Sequence, residues 1–99
     1  MSTYVFKNFQ FLLYNDFEVI IVADEYLDPF VVGEVIAHFR KQKKISQEIL
    51  SGLSDIGRTH LSAIERGTRK PTLETLYKIS CALDVSMSDI VREIEKRLS

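Results

Sequence analysis

The sequence is poor in the residues that cross-link a chain or break its secondary structure: one cysteine, two prolines and four glycines. It also has no tryptophan. Because Cys81 stands alone, no internal disulfide can form, which fits a reducing cytoplasm. Scarce proline and glycine leave little room for a disordered tail. No apolar run approaches the roughly 18 residues of a membrane span, and no signal peptide is visible. We therefore expect a cytoplasmic protein with no membrane segment.

Patterns of catalytic and metal chemistry are also absent. The sequence contains no GxSxG, HExxH or P-loop pattern and no paired carboxylates placed for acid–base work. His38 and His60 lack clustered partners at metal-ligand spacing. We therefore expect no enzyme activity, no metal site and no cofactor.

Charge is distributed unevenly along the chain, although the net charge is only −1. Residues 1–28 carry one lysine against five acidic residues, whereas residues 29–70 carry eight Lys/Arg against four Asp/Glu. Residues 71–99 are close to balance. A concentration of positive charge in the middle of the chain is the electrostatic footprint expected of a protein that contacts phosphates.

The N-terminal segment differs in composition from the rest. Residues 3–14 and 17–23 are rich in aromatic and β-branched residues, with the turn-tolerant pair Asn15-Asp16 between them. This pattern predicts a β-hairpin, although a helix over 3–14 stays open because short apolar runs are ambiguous. A lone hairpin is marginal in water. Residues 1–27 are therefore predicted to be a dimerisation element, or to pack on the helices of their own chain.

Five helices are predicted within residues 28–99. Asp28-Pro29 starts the first, since aspartate is a good N-cap and proline fits the first helical position. The other four follow N-cap candidates at Ser46, Gly57, Thr72 and Ser86. Helical spacing predicts an inward-facing apolar set, consisting of Val32, Val35, Ile36, Phe39, Ile49, Leu50, Leu53, Leu61, Ile64, Leu73, Leu76, Ile79, Leu83, Met87, Ile90, Val91, Ile94 and Leu98. Ile56 is predicted to bury its side chain from the turn.

Residues 46–67, SQEILSGLSDIGRTHLSAIERG, hold two short helical patterns around a tight break. Asp55 stands where the turn needs a left-handed residue, and Gly67 suits the end of the second helix. Arg58 follows the start of that helix, where a cation opposes the helix dipole, so a contact with guanine explains its position better than stability does. The pattern predicts a helix-turn-helix whose second helix enters a DNA major groove.

Residues 39–91 carry four motifs in family order: FRKQKKISQEIL, SDIGRTHLSAIERG, TRKPTLETL and ISCALDVSMSDIV. They resemble the Cro/CI-type, lambda-repressor-like helix-turn-helix family. The resemblance implies a mainly α, five-helix DNA-binding bundle, here with an N-terminal β-hairpin extension. It also implies a homodimer on a palindromic double-stranded operator. Restriction–modification controllers, phage-type repressors and antitoxins are all compatible relatives.

The resemblance also assigns roles to individual residues. Base contacts are implied for Arg58, Thr59 and Ala63. Gln47 would contact the backbone and brace the reading side chains, and Arg40 and Glu65 would form a structural ion pair. Further backbone contacts are expected at Gly57, His60, Ser62, Arg66, Arg69 and Lys70. Two of the departures from the family pattern are Asp55 in place of a turn glycine and Gly57 in place of a Ser/Thr cap, which leave the backbone contact at 57 open.

A rival hypothesis from a different class also stays open. In it, the bundle is a scaffold and the N-terminal hairpin binds a protein partner, as an antitoxin binds a toxin. A DNA regulator and an interaction module differ in one inexpensive observation, since only the first shifts duplex DNA in a gel at low salt.

Overall fold

A computed structural model of the chain describes residues 26–99, which fold into five α-helices. They are α1 (Pro29–Gln42), α2 (Gln47–Ser54), α3 (Arg58–Arg66), α4 (Leu73–Leu83) and α5 (Met87–Leu98). The five predicted helices are confirmed. The predicted β-hairpin falls on residues outside the described range. Within residues 26–99, no helix is both long enough and apolar enough to cross a membrane.

The helix starts follow the local sequence signals. Asp28 caps α1 by accepting the amide of Phe30 at 2.9 Å, with Pro29 in the first helical turn. The starts of α2, α4 and α5 have side-chain caps from Ser46, Thr72 and Ser86. The α3 start has Gly57 and no side-chain cap. Four of the five helix starts are therefore capped by a side-chain oxygen. The start of α3, the second helix of the helix-turn-helix, is not.

The core lies where α1 packs on α3 and α5, and where α2 packs on α3 and α4. Its buried members come from all five helices: Val32, Val35, Ile36, Leu50, Leu61, Ile64, Leu76, Ile79, Leu83, Ile90 and Ile94. This core joins both helices of the helix-turn-helix to the rest of the bundle. The hydrophobic effect thus fixes α3 against the helices behind it.

Four residues predicted to face the core are instead exposed. Ile49 and Leu53 of α2 are 52% and 63% exposed, and Leu73 of α4 is 74% exposed. Val91 is 39% exposed. In α2 the buried face is centred on Leu50 and includes Ser51 and Ser54, whose hydroxyls donate to backbone carbonyls of the same helix. Small, internally satisfied serines take the positions next to the core, so the larger residues at i−1 and i+3 turn outward.

Close contact between α1 and α3 depends on Gly33. A methyl group at this position would lie 2.3 Å from the carbonyl oxygen of Ile64 and 2.6 Å from that of Glu65. Both are backbone atoms of α3, so neither could move aside as a side chain can. The backbones of α1 and α3 can approach this closely only because residue 33 lacks a side chain.

Candidate nucleic-acid interface

The turn between α2 and α3 sets the direction of α3. Asp55 closes α2 in the left-handed region, with φ 55° and ψ 44°, as predicted. The amide of Ile56 then donates to the carbonyl of Ser51 at 3.1 Å, and Gly57 resumes an extended conformation. Aspartate tolerates this left-handed backbone better than most residues with a side chain. The turn leaves the first residues of α3, Arg58 and Thr59, exposed.

The N-terminus of α3 is open to a ligand. Gly57 offers no side-chain cap, and nothing lies within 4 Å of the position its Cβ would occupy. The first amides of a helix have no partner within the helix, and the helix dipole adds partial positive charge there. Arg58 adds a full charge at the same end. This end therefore concentrates hydrogen-bond donors and positive potential, which suits an anion such as a DNA phosphate.

A chain of side-chain hydrogen bonds runs from the buried end of α3 to this open end. Arg58 donates from Nε to Oε1 of Gln47 at 3.2 Å. Gln47 donates from Nε2 to Oε1 of Glu65 at 3.0 Å. Glu65 also accepts two bonds from Arg40, at 2.8 and 3.0 Å. Four residues from three helices are thus linked in series.

The inner part of this chain is the ion pair between Arg40 and Glu65. Their side chains are only 12% and 5% exposed, and the guanidinium also donates to the carbonyl of Ile45 at 2.9 Å. The hydrogen bond to Glu65 raises the pKa of Arg40, which exceeds the opposing effect of burial. The paired geometry and low exposure give this contact the features of a buried structural ion pair.

Glu65 fixes the orientation of the Gln47 amide. An ionised carboxylate can only accept hydrogen bonds, so Gln47 must present its NH₂ group to Glu65. The amide oxygen of Gln47 is then left to face Arg58, a donor. With its Nε bonded to Gln47, Arg58 keeps both Nη groups for another acceptor. Two Nη donors are what a guanidinium needs to bind guanine O6 and N7 together.

Three further cations lie at the C-terminal end of α3 or in the loop beyond it. Arg66 donates to the hydroxyl of Ser62 at 3.0 Å, one turn earlier on the exposed side of the helix. Arg69 and Lys70 are exposed in the loop that leads to α4. The ammonium of Lys70 lies 4.7 Å from the ring centroid of Tyr26, within the range of a cation–π contact. The open end of α3 and this basic loop together form the candidate interface.

Ala63 differs from the other residues expected to contact bases. It is 7% exposed, so its methyl group has little surface to offer a base pair. Its carbonyl instead accepts the amides of Thr68 and Arg69 at 3.0 and 3.3 Å, together with the hydroxyl of Thr68 at 3.1 Å. Ala63 therefore holds the basic loop onto α3. His60 and Ser62 are half-buried, between these extremes.

Two contacts of the interface could not be predicted from the sequence. The bond from Gln47 to Glu65 joins residues 18 apart, and the contact of Tyr26 with Lys70 joins residues 44 apart. An acidic residue and an amide carry no signal of mutual proximity unless the packing of α2 on α3 is known. Within residues 26–99, no group of His, Cys, Asp or Glu side chains could hold a metal ion.

Residues 36–90 match a helix-turn-helix family model. The control protein C.MunI of a Mycoplasma species is 38% identical over 65 residues, covering 65% of this chain and 88% of the relative. The restriction–modification controller C.AhdI of Aeromonas hydrophila has a similar structure, with a TM-score of 0.63 and 32% identity over 66% of this chain and 98% of that one. The clp gene regulator ClgR of C. glutamicum gives a TM-score of 0.70 at 27% identity, over 76% and 97% of the two chains.

Proposed function

Because this chain belongs to the helix-turn-helix family of transcriptional regulators, we propose that it reads a specific sequence in double-stranded DNA. In this proposal α3 is the recognition helix and lies in the major groove. Arg58 and Thr59 face the base edges, because both are exposed at the first turn of α3. Helix-turn-helix proteins place the N-terminal residues of this helix against bases.

The observation that carries the proposal is the hydrogen bond between Arg58 and Gln47. Without a partner, a long arginine side chain would have to lose its rotamer freedom when it binds a base. Here Gln47 holds Nε, and Gln47 is itself held by the buried Glu65. This support pre-organises both Nη donors for one base pair. A good bidentate contact of that kind contributes about 1–3 kcal/mol of discrimination against the wrong base.

Phosphate contacts are assigned to the residues around α3. The amides at the open start of α3, next to Gly57, suit one phosphate, and Gln47 and His60 flank that end. The exposed cations Arg66, Arg69 and Lys70 suit phosphates beyond the other end of the helix. Such contacts set register and affinity but carry no sequence information directly.

We further propose that two copies bind a palindromic operator. One α3 meets one major groove, which reads only a short half-site. A two-fold dimer would place its two recognition helices in successive major grooves, about 34 Å apart on one face of the duplex. Bound at a promoter, this dimer would regulate transcription.

Selection of bound sequences from a random duplex library tests the proposal directly. We expect an enriched site with two-fold symmetry and half-site centres about 10 base pairs apart. Enrichment of a single asymmetric half-site would contradict the dimer while preserving DNA binding. No binding to any duplex at low salt would contradict the function itself and would favour a protein-interaction module.

The salt dependence of binding to that site tests the phosphate contacts. Arg69→Ala should weaken binding to specific and random DNA alike and reduce the slope of log K against log salt by about one unit. Lys96→Ala is the matched control, since Lys96 is an exposed cation of α5 outside the interface. Equal slopes for the Arg69 variant and the control would remove Arg69 from the phosphate-contacting set.

A further inference from the structure

Two neighbouring helices expose apolar residues that are not part of the proposed DNA interface. Ile49 and Leu53 lie one turn apart on α2, and Leu73 and Tyr77 lie one turn apart on α4. All four are more than half exposed, at 52%, 63%, 74% and 57%. The two helices pack against each other in the bundle. We call these four residues the α2–α4 stripes.

Such exposure is unfavourable unless something covers it. Single exposed apolar residues are normal on proteins, whereas clusters of large ones mark interaction surfaces. Here each of two packed helices exposes two large apolar residues one turn apart. The stripes also do not include Arg58, Thr59, Arg69 or Lys70, so DNA binding leaves them unexplained.

Residues 1–25 have the composition of a partner for these stripes. They contain the apolar stretches 3–14 and 17–23, dense in Phe, Tyr, Val, Ile and Leu. Their pattern predicts a hairpin with apolar residues on both faces, which is marginal in water unless it is packed. One apolar face could cover the stripes, and the second would stay available to another copy of the chain.

The segment joins the bundle at Tyr26, which contacts the loop before α4. Tyr26 follows the segment directly, and its ring lies 4.7 Å from the ammonium of Lys70. Lys70 precedes Leu73, the first residue of α4, by three positions. Three residues span at most about 11 Å between Cα atoms. The segment therefore joins the bundle at a residue that contacts the loop leading into α4, the helix that carries Leu73 and Tyr77.

Tethering makes this contact favourable compared with any free partner. A segment joined by a short linker sees its target at an effective concentration on the order of millimolar. A separate protein would need a similar concentration to compete. The cation–π contact of Tyr26 with Lys70 holds the described residue next to the segment against the loop before α4.

We propose that residues 1–25 dock on the α2–α4 stripes of their own chain, covering Ile49, Leu53, Leu73 and Tyr77. This proposal goes beyond DNA binding and does not depend on it. It assigns the apolar N-terminal segment a defined surface on the bundle, on helices that flank the recognition helix in sequence.

Hydrogen exchange of the full chain, followed by mass spectrometry, tests the docking. Amides within residues 1–25 should exchange at least about tenfold more slowly in the wild-type chain than in the double variant Leu53→Lys, Leu73→Lys. Both substituted side chains are exposed, so circular dichroism should show unchanged helix content in the variant. Val91→Lys on α5 is the matched control, as an exposed apolar residue off the stripes, and should keep the slow exchange.

The same samples at several protein concentrations identify the occupant. Protection that is independent of concentration, and is lost only in the double variant, supports docking within one chain. Protection that disappears on dilution together with a dimer in light scattering would assign the stripes to a second copy and overturn the proposal. Fast exchange in the wild type, or protection that the double variant keeps, would also overturn it.

Discussion

The two ends of α3, the proposed recognition helix, are built in opposite ways. At its C-terminal end, Glu65 is almost fully buried and paired with Arg40, and Gly67 closes the helix with φ 81° under the ring of Phe30. At its N-terminal end, Gly57 provides no cap and Arg58 is exposed. The helix is anchored at one end and open at the other. Anchoring fixes the position of the donors, and openness keeps them free for a ligand.

Removing the anchor should have the largest effect. Glu65→Ala leaves the guanidinium of Arg40 buried without its partner and frees the amide of Gln47, so we expect a loss of about 3–5 kcal/mol of unfolding free energy. Urea denaturation measures it. Glu93→Ala is the matched control, because Glu93 forms a more exposed pair with Arg97 and its loss should destabilise the protein far less. Similar losses in both variants would show that Glu65 is not an anchor.

Forcing the anchored end away from α1 should have the next largest effect on stability. In Gly33→Ala the new methyl would overlap backbone carbonyls of α3, and overpacking of this kind costs about 1–3 kcal/mol. Gly52→Ala provides a control of opposite sign. Position 52 has open space around it and lies inside a helix, so alanine should stabilise by about 0.5–1 kcal/mol. Thermal unfolding of both variants checks the contrast.

At the open end, the expected loss is in recognition and leaves stability unchanged. Arg58→Ala should weaken binding to the selected operator by about 1–3 kcal/mol and relax preference at one base pair, with random DNA affected less. Fluorescence anisotropy against both duplexes measures the difference. An equal loss on the two duplexes would make Arg58 a phosphate contact. The open end of α3 would then contribute to DNA affinity and not to sequence preference.

Closing the open end should have the smallest effect. Gly57→Ser supplies a hydroxyl that can accept a helix amide, which should raise the unfolding free energy by a few tenths of a kcal/mol. Differential scanning calorimetry can resolve the shift in Tm. If Gly57 keeps the amides available to a phosphate, operator affinity should not rise in step with stability. If operator affinity rose together with the unfolding free energy, the uncapped start of α3 would not be needed for phosphate binding.

Helix boundaries and long-range contacts differ in how well the sequence predicts them. Helix starts and stops depend on neighbours a few residues apart, so Asp28, Ser46, Asp55, Gly67 and Ser86 signal them locally, and the structure confirms each. The resemblance to a known family supplies the pairing of Arg40 with Glu65, which the structure also shows. Periodicity alone would not have found it, because 25 residues separate the two.

The predictions that failed concern the rotation of a helix about its own axis. The apolar pattern of α2 favours a face containing Ile49, Leu50 and Leu53, yet the buried face is Leu50, Ser51 and Ser54. Hydropathy ranks serine as a surface residue, but a serine that bonds to its own helix backbone can be buried at low cost. Ala63 is a different case: its family position implies a base contact, which stays a prediction, and the residue is only 7% exposed.

The three hydrogen bonds that Thr68 and Arg69 make to the carbonyl of Ala63 have a consequence for the DNA itself. They join the loop proposed to contact phosphates to the helix proposed to read bases, and so restrict the spacing between the two. Duplexes whose local twist or groove width matches that spacing can engage Arg58 and Arg69 together, whereas others must deform first. DNA deformation carries an energy that depends on sequence. We therefore expect the operator preference to extend to base pairs that no side chain touches.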